Sequence, residues 1–355
     1  MRYSENLLSL IGNTPLVKLS RVAKGIEANV FVKLESCNPS GSYKDRMALS
    51  MIEAAEKGLT WNGRRLGPGG VVCDASSGNT APALAFVSAV KGYRAKIGIY
   101  KPMLRRGDIR MRITRIYGAE VVTCPDPTQY IPEMEWERLS EEEKNLSWIL
   151  AGKKWAYELE KNDPKVVWVD QIYNKYNYIG QMKIGYEVYE QLDGKIDAWV
   201  CSIGSGGTML GVLLALREKG VAPRSLGVVP YTSEVYVQFE KGGPGKRKFR
   251  FSEAHRKLVE LMDLKKWQTE KSIIEEMFER GYPEEMLRVT DEDARMMANR
   301  LAQEEGIWCG ISSGANVLAA LKIAKEMKRG DNVVTVIVDR RDRYLDEYPN
   351  EIYVV

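Results

Sequence analysis

Short apolar runs alternate with segments of helical spacing along the whole chain, and this alternation constrains the fold more than any other feature. The runs predict buried strands at Val30–Leu34, Val71–Cys73, Ala95–Tyr100, Val166–Val169, Ala198–Cys201, Leu226–Val229 and Val333–Val338. Helical spacing between them predicts helices at Thr80–Lys91, Asp108–Tyr117, Asn177–Leu192, Asp291–Glu305 and Ser313–Lys328. Strands that alternate with helices are typical of α/β folds with mostly parallel sheets.

Length and composition predict a globular protein of two domains that share a cleft. The chain has 355 residues, of which 44% are hydrophobic and 28% charged. Its net charge of +4 is small for this length and does not indicate nucleic acid or a membrane surface as a partner. The arginines of the predicted helix after residue 100 are expected to form an exposed face rather than a nucleic-acid patch: Arg105, Arg106, Arg110, Arg112 and Arg115.

The cysteines and the single histidine indicate in which compartment the protein is found and which kinds of catalytic site it can form. Five cysteines lie far apart without a C-x-x-C pair, which favours a reducing compartment over a disulfide framework. No apolar stretch approaches the roughly 20 residues that span a bilayer, and the first residues do not resemble a secretory signal, so a cytoplasmic protein is predicted. Because His255 is the only histidine, a His-rich metal site or a Ser-His-Asp triad is not expected, and the chemistry is expected to depend on a cofactor.

In open α/β sheets ligands bind beyond the carboxyl ends of strands, and the first loop of this kind contains Lys44. The segment from Asn38 to Arg46 follows the strand that ends near Leu34. Ser42 is suited to cap a helix, so Lys44 is expected in the first helical turn. There the positive end of the helix dipole favours a neutral amine, which is the form that reacts with an aldehyde.

Three further loops follow strands and carry small polar residues. The segment from Ser76 to Thr80 has hydroxyl groups and backbone N–H groups suited to a carboxylate. The segment from Gly204 to Thr208 has three glycines that let backbone amides approach a single phosphate group, without the Walker or dinucleotide spacing. The segment from Cys309 to Ala315 places Ser312 before a helix. Each loop taken alone is also typical of an ordinary turn or helix cap.

Taken together and in this order, the four loops resemble the cysteine synthase and cystathionine β-synthase family of fold-type II pyridoxal-phosphate (PLP) enzymes. The opening Ile11-Gly12-Asn13-Thr14-Pro15-Leu16 is also similar to that family, and the resemblance extends from about residue 6 to Leu345. It implies an α/β fold similar to the tryptophan synthase β subunit, with two domains that each contain a mostly parallel twisted sheet flanked by helices. Residues 1–45 and 156–355 would form the large PLP-binding domain, and residues 46–155 the smaller mobile domain.

The resemblance also implies the roles of individual residues. Lys44 would bind PLP as a Schiff base and remove the Cα proton of the substrate, and Asn79 would donate a hydrogen bond to the 3′ oxygen of the cofactor. Ser312 would face the pyridine nitrogen. The phosphate would be held by Gly204, Ser205, Gly206, Gly207 and Thr208. The substrate carboxylate would be held by Ser76, Ser77, Gly78, Thr80 and Gln171.

The implied reaction is β-replacement on an O-activated L-serine, O-phosphoserine or O-acetylserine, with sulfide to give L-cysteine. A neutral hydroxyl at the ring nitrogen leaves carbanion character less spread into the ring, which favours prompt loss of a β leaving group. Other nucleophiles such as homocysteine, or a serine or threonine deaminase, remain alternatives within this chemistry. From other classes, a non-catalytic binding protein that keeps the fold is disfavoured by Lys44 together with the complete set of loops. A nucleotide-binding module is disfavoured because the acidic ribose-binding residue and a Walker lysine are missing at the expected spacing. The resemblance further implies a homodimer with small-molecule partners.

The chain departs from the family pattern at three places. Ile172 stands where the family usually has an aromatic residue, and Gln181 is found near the usual position of a histidine. Arg340 and Arg341 replace small residues near the C-terminus, which suggests a second anion site that would favour O-phosphoserine, with a solvated or salt-bridged surface as the alternative. The segment from Tyr231 to Met286 does not match the usual glycine-rich active-site loop and is basic and then helical.

Overall fold

Ten strands are found in the computed structural model, which describes residues 3–103, 108–231, 253–264 and 271–345. They are β1 (Leu16–Lys18), β2 (Asn29–Leu34), β3 (Val71–Ala75), β4 (Arg94–Ile99), β5 (Glu120–Thr123), β6 (Val166–Trp168), β7 (Ala198–Ser202), β8 (Arg224–Pro230), β9 (Glu285–Val289) and β10 (Asn332–Ile337). All seven strands predicted from apolar runs are among them. The strands that were not predicted, β1, β5 and β9, lie at the edges of their sheets, where fewer apolar residues are required.

Helices connect most of these strands. They are α1 (Lys44–Glu56), α2 (Thr80–Lys91), α3 (Asp108–Ile116), α4 (Glu133–Glu137), α5 (Glu141–Asn162), α6 (Tyr176–Gln191), α7 (Gly207–Glu218), α8 (Glu253–Leu261), α9 (Ile273–Glu279), α10 (Asp291–Glu305) and α11 (Ile311–Ala324). The five predicted helices are present, and α2 and α10 have the predicted bounds. None of the helices in the described parts of the chain is long and apolar enough to cross a membrane.

The strands form two sheets, as the predicted fold class requires. The larger sheet has six strands in the order β1-β2-β10-β7-β8-β9, and only the β1–β2 pair is antiparallel. The smaller sheet has four parallel strands in the order β5-β4-β3-β6. The predicted domain boundaries, with residues 46–155 as the smaller domain, stay a prediction. Strand β6 pairs with the smaller sheet, which therefore extends beyond residue 155.

Both faces of each sheet are covered by helices, which explains why the strands are apolar on both sides. In β7 the side chains alternate between two cores: Ala198 and Val200 pack in one, and Trp199 and Cys201 pack in the other. The smaller sheet shows the same division. Val72 and Val167 pack in a core formed with α1 and α2, whereas Cys73 and Trp168 pack in a core with α5 and α8.

Candidate active site

Lys44 is the first residue of α1, where the sequence predicts it. The expectation that Ser42 caps this helix is wrong, because Tyr43 occupies the cap position and makes no side-chain cap hydrogen bond. The backbone N–H of Lys44 still donates a hydrogen bond to Ser42 Oγ at 3.4 Å. Gly41, before this turn, has a φ of +91°, a conformation that residues with side chains rarely adopt. The tight turn therefore fixes the start of α1 and the position of the Lys44 side chain.

The surroundings of Lys44 favour its neutral amine. Burial lowers the pKa of Lys44 to about 8, the nearby Asp74 carboxylate raises it, and the Lys153 ammonium group lowers it. Since the ordinary value is 10.5, a much larger fraction of this amine is unprotonated at neutral pH than in an exposed lysine. The structure thus supports the nucleophilic role predicted from the position of Lys44 at a helix start.

The loop from Ser76 to Asn79 connects the end of β3 with the start of α2. The Ser76 hydroxyl accepts a hydrogen bond from the backbone N–H of Gly78 at 3.2 Å, which closes the loop on itself. The Thr80 hydroxyl donates to Gln171 Oε1 at 2.6 Å. Thr80 and Gln171 were both predicted to contact the substrate carboxylate, and the structure brings them into direct contact although they are 91 residues apart.

Asn79 connects the loop after β3 with the segment after β10. Its side-chain Nδ2 donates a hydrogen bond to Asp339 Oδ2, and its Oδ1 accepts one from Arg343 Nη1 at 2.8 Å. Tyr344 also donates its hydroxyl hydrogen to Asp339. An amide NH2 group carries two hydrogens, so one remains for a cofactor oxygen. The predicted role of Asn79 is compatible with these contacts and stays a prediction.

The glycine-rich segment forms the N-terminus of α7. Gly206 has a φ of +84°, and α7 begins at Gly207. A Cβ atom on Gly207 would overlap the side-chain amide of Asn177. Asn177 in turn donates through Nδ2 to Gln171 O at 2.6 Å and to Ser205 Oγ at 3.1 Å. Because the first N–H groups of a helix have no intrahelical partner, this end of α7 is suited to bind a phosphate.

A cavity of about 560 Å³ collects most of the predicted residues at the carboxyl ends of the strands. Nine of them line it: Lys44, Ser76, Gly78, Asn79, Thr80, Gln171, Gly204, Ser205 and Ser312. The other four predicted residues lie in the loops from Ser76 to Thr80 and from Gly204 to Thr208: Ser77, Gly206, Gly207 and Thr208. Sequence motifs on five separate segments thus converge on one site, which is why their combination is more informative than any one of them.

Several cavity residues were not predicted from the sequence. Lys153 from α5 and His255 from α8 line the cavity, as do Tyr100 and Tyr344. Only His255 could have been suspected from the sequence, because it is the only histidine and lies in the segment from Tyr231 to Met286 that departs from the family pattern. Burial, and to a smaller extent the positive charge of Arg256, lowers the pKa of His255 to about 4, so the imidazole is neutral at neutral pH. Two parts of the divergent segment, residues 232–252 and 265–270, lie outside the described residues.

The expectation that the arginines of α3 form an exposed face is wrong for Arg110. Its side chain is buried, lines the cavity, donates through Nε to Ser77 O at 3.2 Å and lies over the Tyr344 ring at 4.8 Å. Arg110 shares the inner face of α3 with the buried Thr114, four residues later. Arg112 and Arg115 are exposed as predicted, and Arg105 and Arg106 lie outside the described residues.

Arg340 and Arg341 do not form a second anion site at the cavity. The side chain of Arg340 is 53% exposed and pairs with Asp342 at 3.0 Å. Arg341 lies over the Trp308 ring at 5.5 Å. Neither is among the described residues that line the cavity. Arg340 therefore corresponds to the salt-bridged alternative, and among the described residues Arg110 is the arginine that lines the cavity.

The residues present fit PLP. The cofactor requires an amine for its aldehyde, a phosphate site and a polar partner for its ring nitrogen. Lys44, the loop before α7 and Ser312 supply these three groups on one cavity. Gly207 packs so closely against Asn177 that a Cβ atom has no room at position 207. The first N–H groups of α7 have no intrahelical partner and are suited to a phosphate.

Comparison with known proteins agrees with this geometry. Residues 7–339 match the family described as pyridoxal-phosphate dependent enzyme. The chain belongs to this family. It is 34% identical over 343 residues to a cysteine synthase of Staphylococcus aureus, covering 96% of this chain and 95% of the relative. It is also 34% identical to cysteine synthase B of Salmonella typhimurium, over 94% of this chain and 92% of the relative.

A solved structure shows the same fold at the level of the whole chain. The cysteine synthase of Entamoeba histolytica superposes with a TM-score of 0.75 and 26% identity, covering 100% of this chain and 92% of that one. The predicted fold class, the PLP cofactor and an enzymatic role are confirmed by the family match and these relatives. The roles of the individual site residues remain predictions that the contacts described above support.

Proposed function

We propose that this PLP-dependent enzyme forms L-cysteine from an O-activated L-serine and sulfide. The observation that carries the proposal is the shared cavity, in which Lys44, the segment from Ser76 to Thr80 and the loop before α7 meet. Relatives named cysteine synthase over nearly the full chain support the choice of reaction. In this reaction the C–O bond at Cβ breaks with departure of acetate or phosphate, and a C–S bond forms in its place.

The residues of the chain would bind, orient and exchange a proton with the amino-acid substrate. Bound PLP supplies an electron sink for the charge that develops at the substrate Cα. The neutral Lys44 amine, whose pKa is lowered to about 8, takes the Cα proton. The N–H and hydroxyl groups around Ser76, Thr80 and Gln171 hold the α-carboxylate, so that the Cα–H bond faces Lys44.

The test is product formation by the purified holoenzyme. O-acetylserine and O-phosphoserine are each supplied with sulfide, and L-cysteine is quantified. We expect cysteine from at least one donor and none from Lys44→Ala. Cystathionine formed from homocysteine with no cysteine from sulfide, or pyruvate formed from serine, would contradict the proposal in favour of the alternative β-synthase or deaminase. Equal turnover of the two donors would agree with the position of Arg340 and Arg341 away from the cavity.

We further propose a cytoplasmic homodimer whose partners are an amino-acid substrate and a sulfur donor, without nucleic acid or membrane. The cysteines support a reducing compartment, since Cys73, Cys124, Cys201 and Cys309 are buried free thiols. The homodimer is supported by the family resemblance. Sedimentation of the purified chain tests it, and a monomer at micromolar concentration would contradict it.

A further inference from the structure

A second lysine, Lys153, lines the same cavity as Lys44. It lies on α5, and its side chain is 1% exposed. The ammonium group donates to Asp74 Oδ1 at 2.6 Å and to the backbone oxygen of Ala75 at 3.0 Å. A buried ion pair is costly to desolvate and is weak support for stability by itself. Its position on the cavity wall therefore calls for a functional explanation.

The partner carboxylate, Asp74, lies near the carboxyl end of β3. It is fully buried and lies two residues before Ser76, where the loop predicted to bind the substrate carboxylate begins. Besides Lys153 it accepts hydrogen bonds from Trp168 Nε1 at 3.0 Å, from Ala75 N at 2.8 Å and from Gln171 N at 3.3 Å. These three N–H donors hold the Asp74 side chain in place and do not depend on the side chain of Lys153.

The two charges act on Lys44 in opposite directions. Asp74 raises the pKa of the Lys44 amine and Lys153 lowers it, both after the larger lowering by burial. Among the other ionisable groups that line the cavity, burial raises the pKa of Tyr43 and Tyr344 and lowers that of His255, so these three are neutral at neutral pH. Tyr100 also lines the cavity and donates its hydroxyl hydrogen to Ala75 O at 3.1 Å. The thiols of Cys73 and Cys124, on which the charges of Asp74 and Lys153 also act, have pKa values raised by burial. The Arg110 guanidinium lies over the Tyr344 ring, and Asp339, whose pKa is raised by burial, is hydrogen-bonded to Asn79 and Tyr344.

We propose that Lys153 is a positioning residue for Lys44: its ammonium group, held at the end of β3, balances the charge of the buried Asp74 carboxylate behind the cavity wall that both lysines line. Through Ala75 O and Gln171 N, the Lys153–Asp74 pair also joins α5 to the segments that carry Ser76 and Gln171. The same contact therefore holds the loop from Ser76 to Thr80, called the substrate loop below. The inference rests on the proposed function, because the charge of the Lys44 amine matters only where that amine reacts with the cofactor aldehyde and exchanges the substrate proton.

The experiment measures the pH dependence of PLP capture by the full-length apoprotein. The rate is followed by visible absorbance from about pH 6 to about pH 10, a range that brackets the titration of a shifted lysine. Only the neutral amine reacts, so a higher pKa moves the rise in rate to higher pH. For Lys153→Met we expect the rise to move upward by roughly one pH unit, because the Asp74 charge, which raises the pKa of Lys44, is left unbalanced.

A double variant separates this role from ordinary structural damage. In Lys153→Met with Asp74→Asn both charges are absent, so we expect the rise in rate to return toward the wild-type pH. Structural damage would make the double variant at least as impaired as the single one. Should Lys153→Met fail to fold, the comparison is made with Lys153→Gln, whose amide can keep a hydrogen bond to Asp74.

The neighbouring lysine provides a matched control. Lys154 is also on α5 and largely buried, but its ammonium group donates to Asp263 O at 3.2 Å and pairs with Glu158 at 3.4 Å, away from the cavity lining. Lys154→Met should leave the pH profile unchanged. An unmoved profile in Lys153→Met, or a double variant shifted as far as the single one, would overturn the role of Lys153. Wild-type apoprotein that captures no PLP at any pH would instead contradict the proposed function.

Discussion

At the scale of single residues, Asn177 connects the segment of Gln171 with the loop from Gly204 to Thr208. Its amide donates hydrogen bonds to the backbone of Gln171 and the hydroxyl of Ser205, and its side chain packs directly on the Cα of Gly207. The segment that carries Gln171 and the loop from Gly204 to Thr208 are therefore held in one arrangement by a single buried side chain. Position 207 requires glycine because of this close approach, and not because of its backbone angles.

Gly207→Ala is expected to weaken PLP binding. The added methyl group would displace Asn177 from Ser205 and Gln171, and such overpacking strains a protein by about 1–3 kcal/mol. Because PLP binding would have to restore the loop against this strain, the affinity should fall by up to about 150-fold. The dissociation constant is measured by titration of the apoprotein with PLP. Gly67→Ala is the control, since nothing lies within 4 Å of a Cβ at that position. An affinity as high as that of the wild type in Gly207→Ala would refute the role assigned to Asn177.

At the scale of elements, the start of α1 is anchored by a buried network of charges. Arg46, in the first turn of the helix, pairs with Glu35 after β2 at 2.7 Å and with Glu187 of α6 at 2.6 Å. Lys33 of β2 also pairs with Glu187 at 2.7 Å. Four charges thus connect β2, α1 and α6 close to Lys44 in the chain. Breaking a buried pair of this kind costs about 3–5 kcal/mol, because the remaining charge has no partner.

This network predicts a loss of stability in acid. Burial acts to raise the pKa of Glu187, but hydrogen bonds from Arg46 and Lys33 overcome it and lower the value from 4.5 to about 2. The folded pKa is below the unfolded one, so the stabilisation is complete above about pH 4.5 and is lost as the pH falls toward about 2. The free energy of unfolding, measured with urea over this range, should therefore decrease with falling pH.

The variant Glu187→Gln tests this assignment. The stability difference from the wild type should be largest at neutral pH and should shrink as the pH falls below about 4.5. Glu304→Gln is a suitable control, because Glu304 forms an exposed pair with Arg300 of the same helix, and such pairs contribute little. A difference for Glu187→Gln that does not depend on pH would show that the carboxylate charge is not what stabilises α1.

The central strands and the binding loops were predicted from the sequence, whereas one long helix and the inward-facing charged residues were not. The strands at the centre of each sheet were predicted because burial on both faces makes them continuously apolar, as in Trp199 and Val200 of β7, which pack in opposite cores. The long helix α5 was missed, although its sequence displays a capping box at its start. The binding loops were predicted from glycines and hydroxyls. The inward positions of Lys153, Arg110 and Asp74 could not be predicted, because long-range packing decides which charged side chains face inward.

At the scale of the whole molecule, side chains near the C-terminus connect the two sheets across the cavity. Tyr344 donates its hydroxyl hydrogen to Asp339 and lies under the Arg110 guanidinium, which in turn donates to the backbone of Ser77 in the substrate loop. Arg343 donates to Asn79 in the same loop. Movement of the smaller sheet against the larger one must therefore change these contacts.

Two variants of Tyr344 should weaken substrate binding to different extents. Tyr344→Phe removes one hydrogen bond and keeps the ring under Arg110, so KM for the amino-acid donor should rise roughly 2- to 10-fold. Tyr344→Leu also removes the cation–π contact and should raise KM further. Steady-state kinetics with the better donor and saturating sulfide make the comparison. Equal KM values for the two variants and the wild type would show that these contacts do not position the substrate loop.

Lys44 is expected to carry the cofactor, and borohydride reduction followed by peptide mass mapping identifies the lysine that does so. Reduction of the purified holoenzyme fixes PLP to the lysine that holds it, and among the described residues Lys44 and Lys153 are the lysines that line the cavity. We predict a phosphopyridoxyl group on the peptide that contains Lys44 and an unmodified Lys153. Modification at Lys153, or no modified lysine in a protein saturated with PLP, would contradict the account.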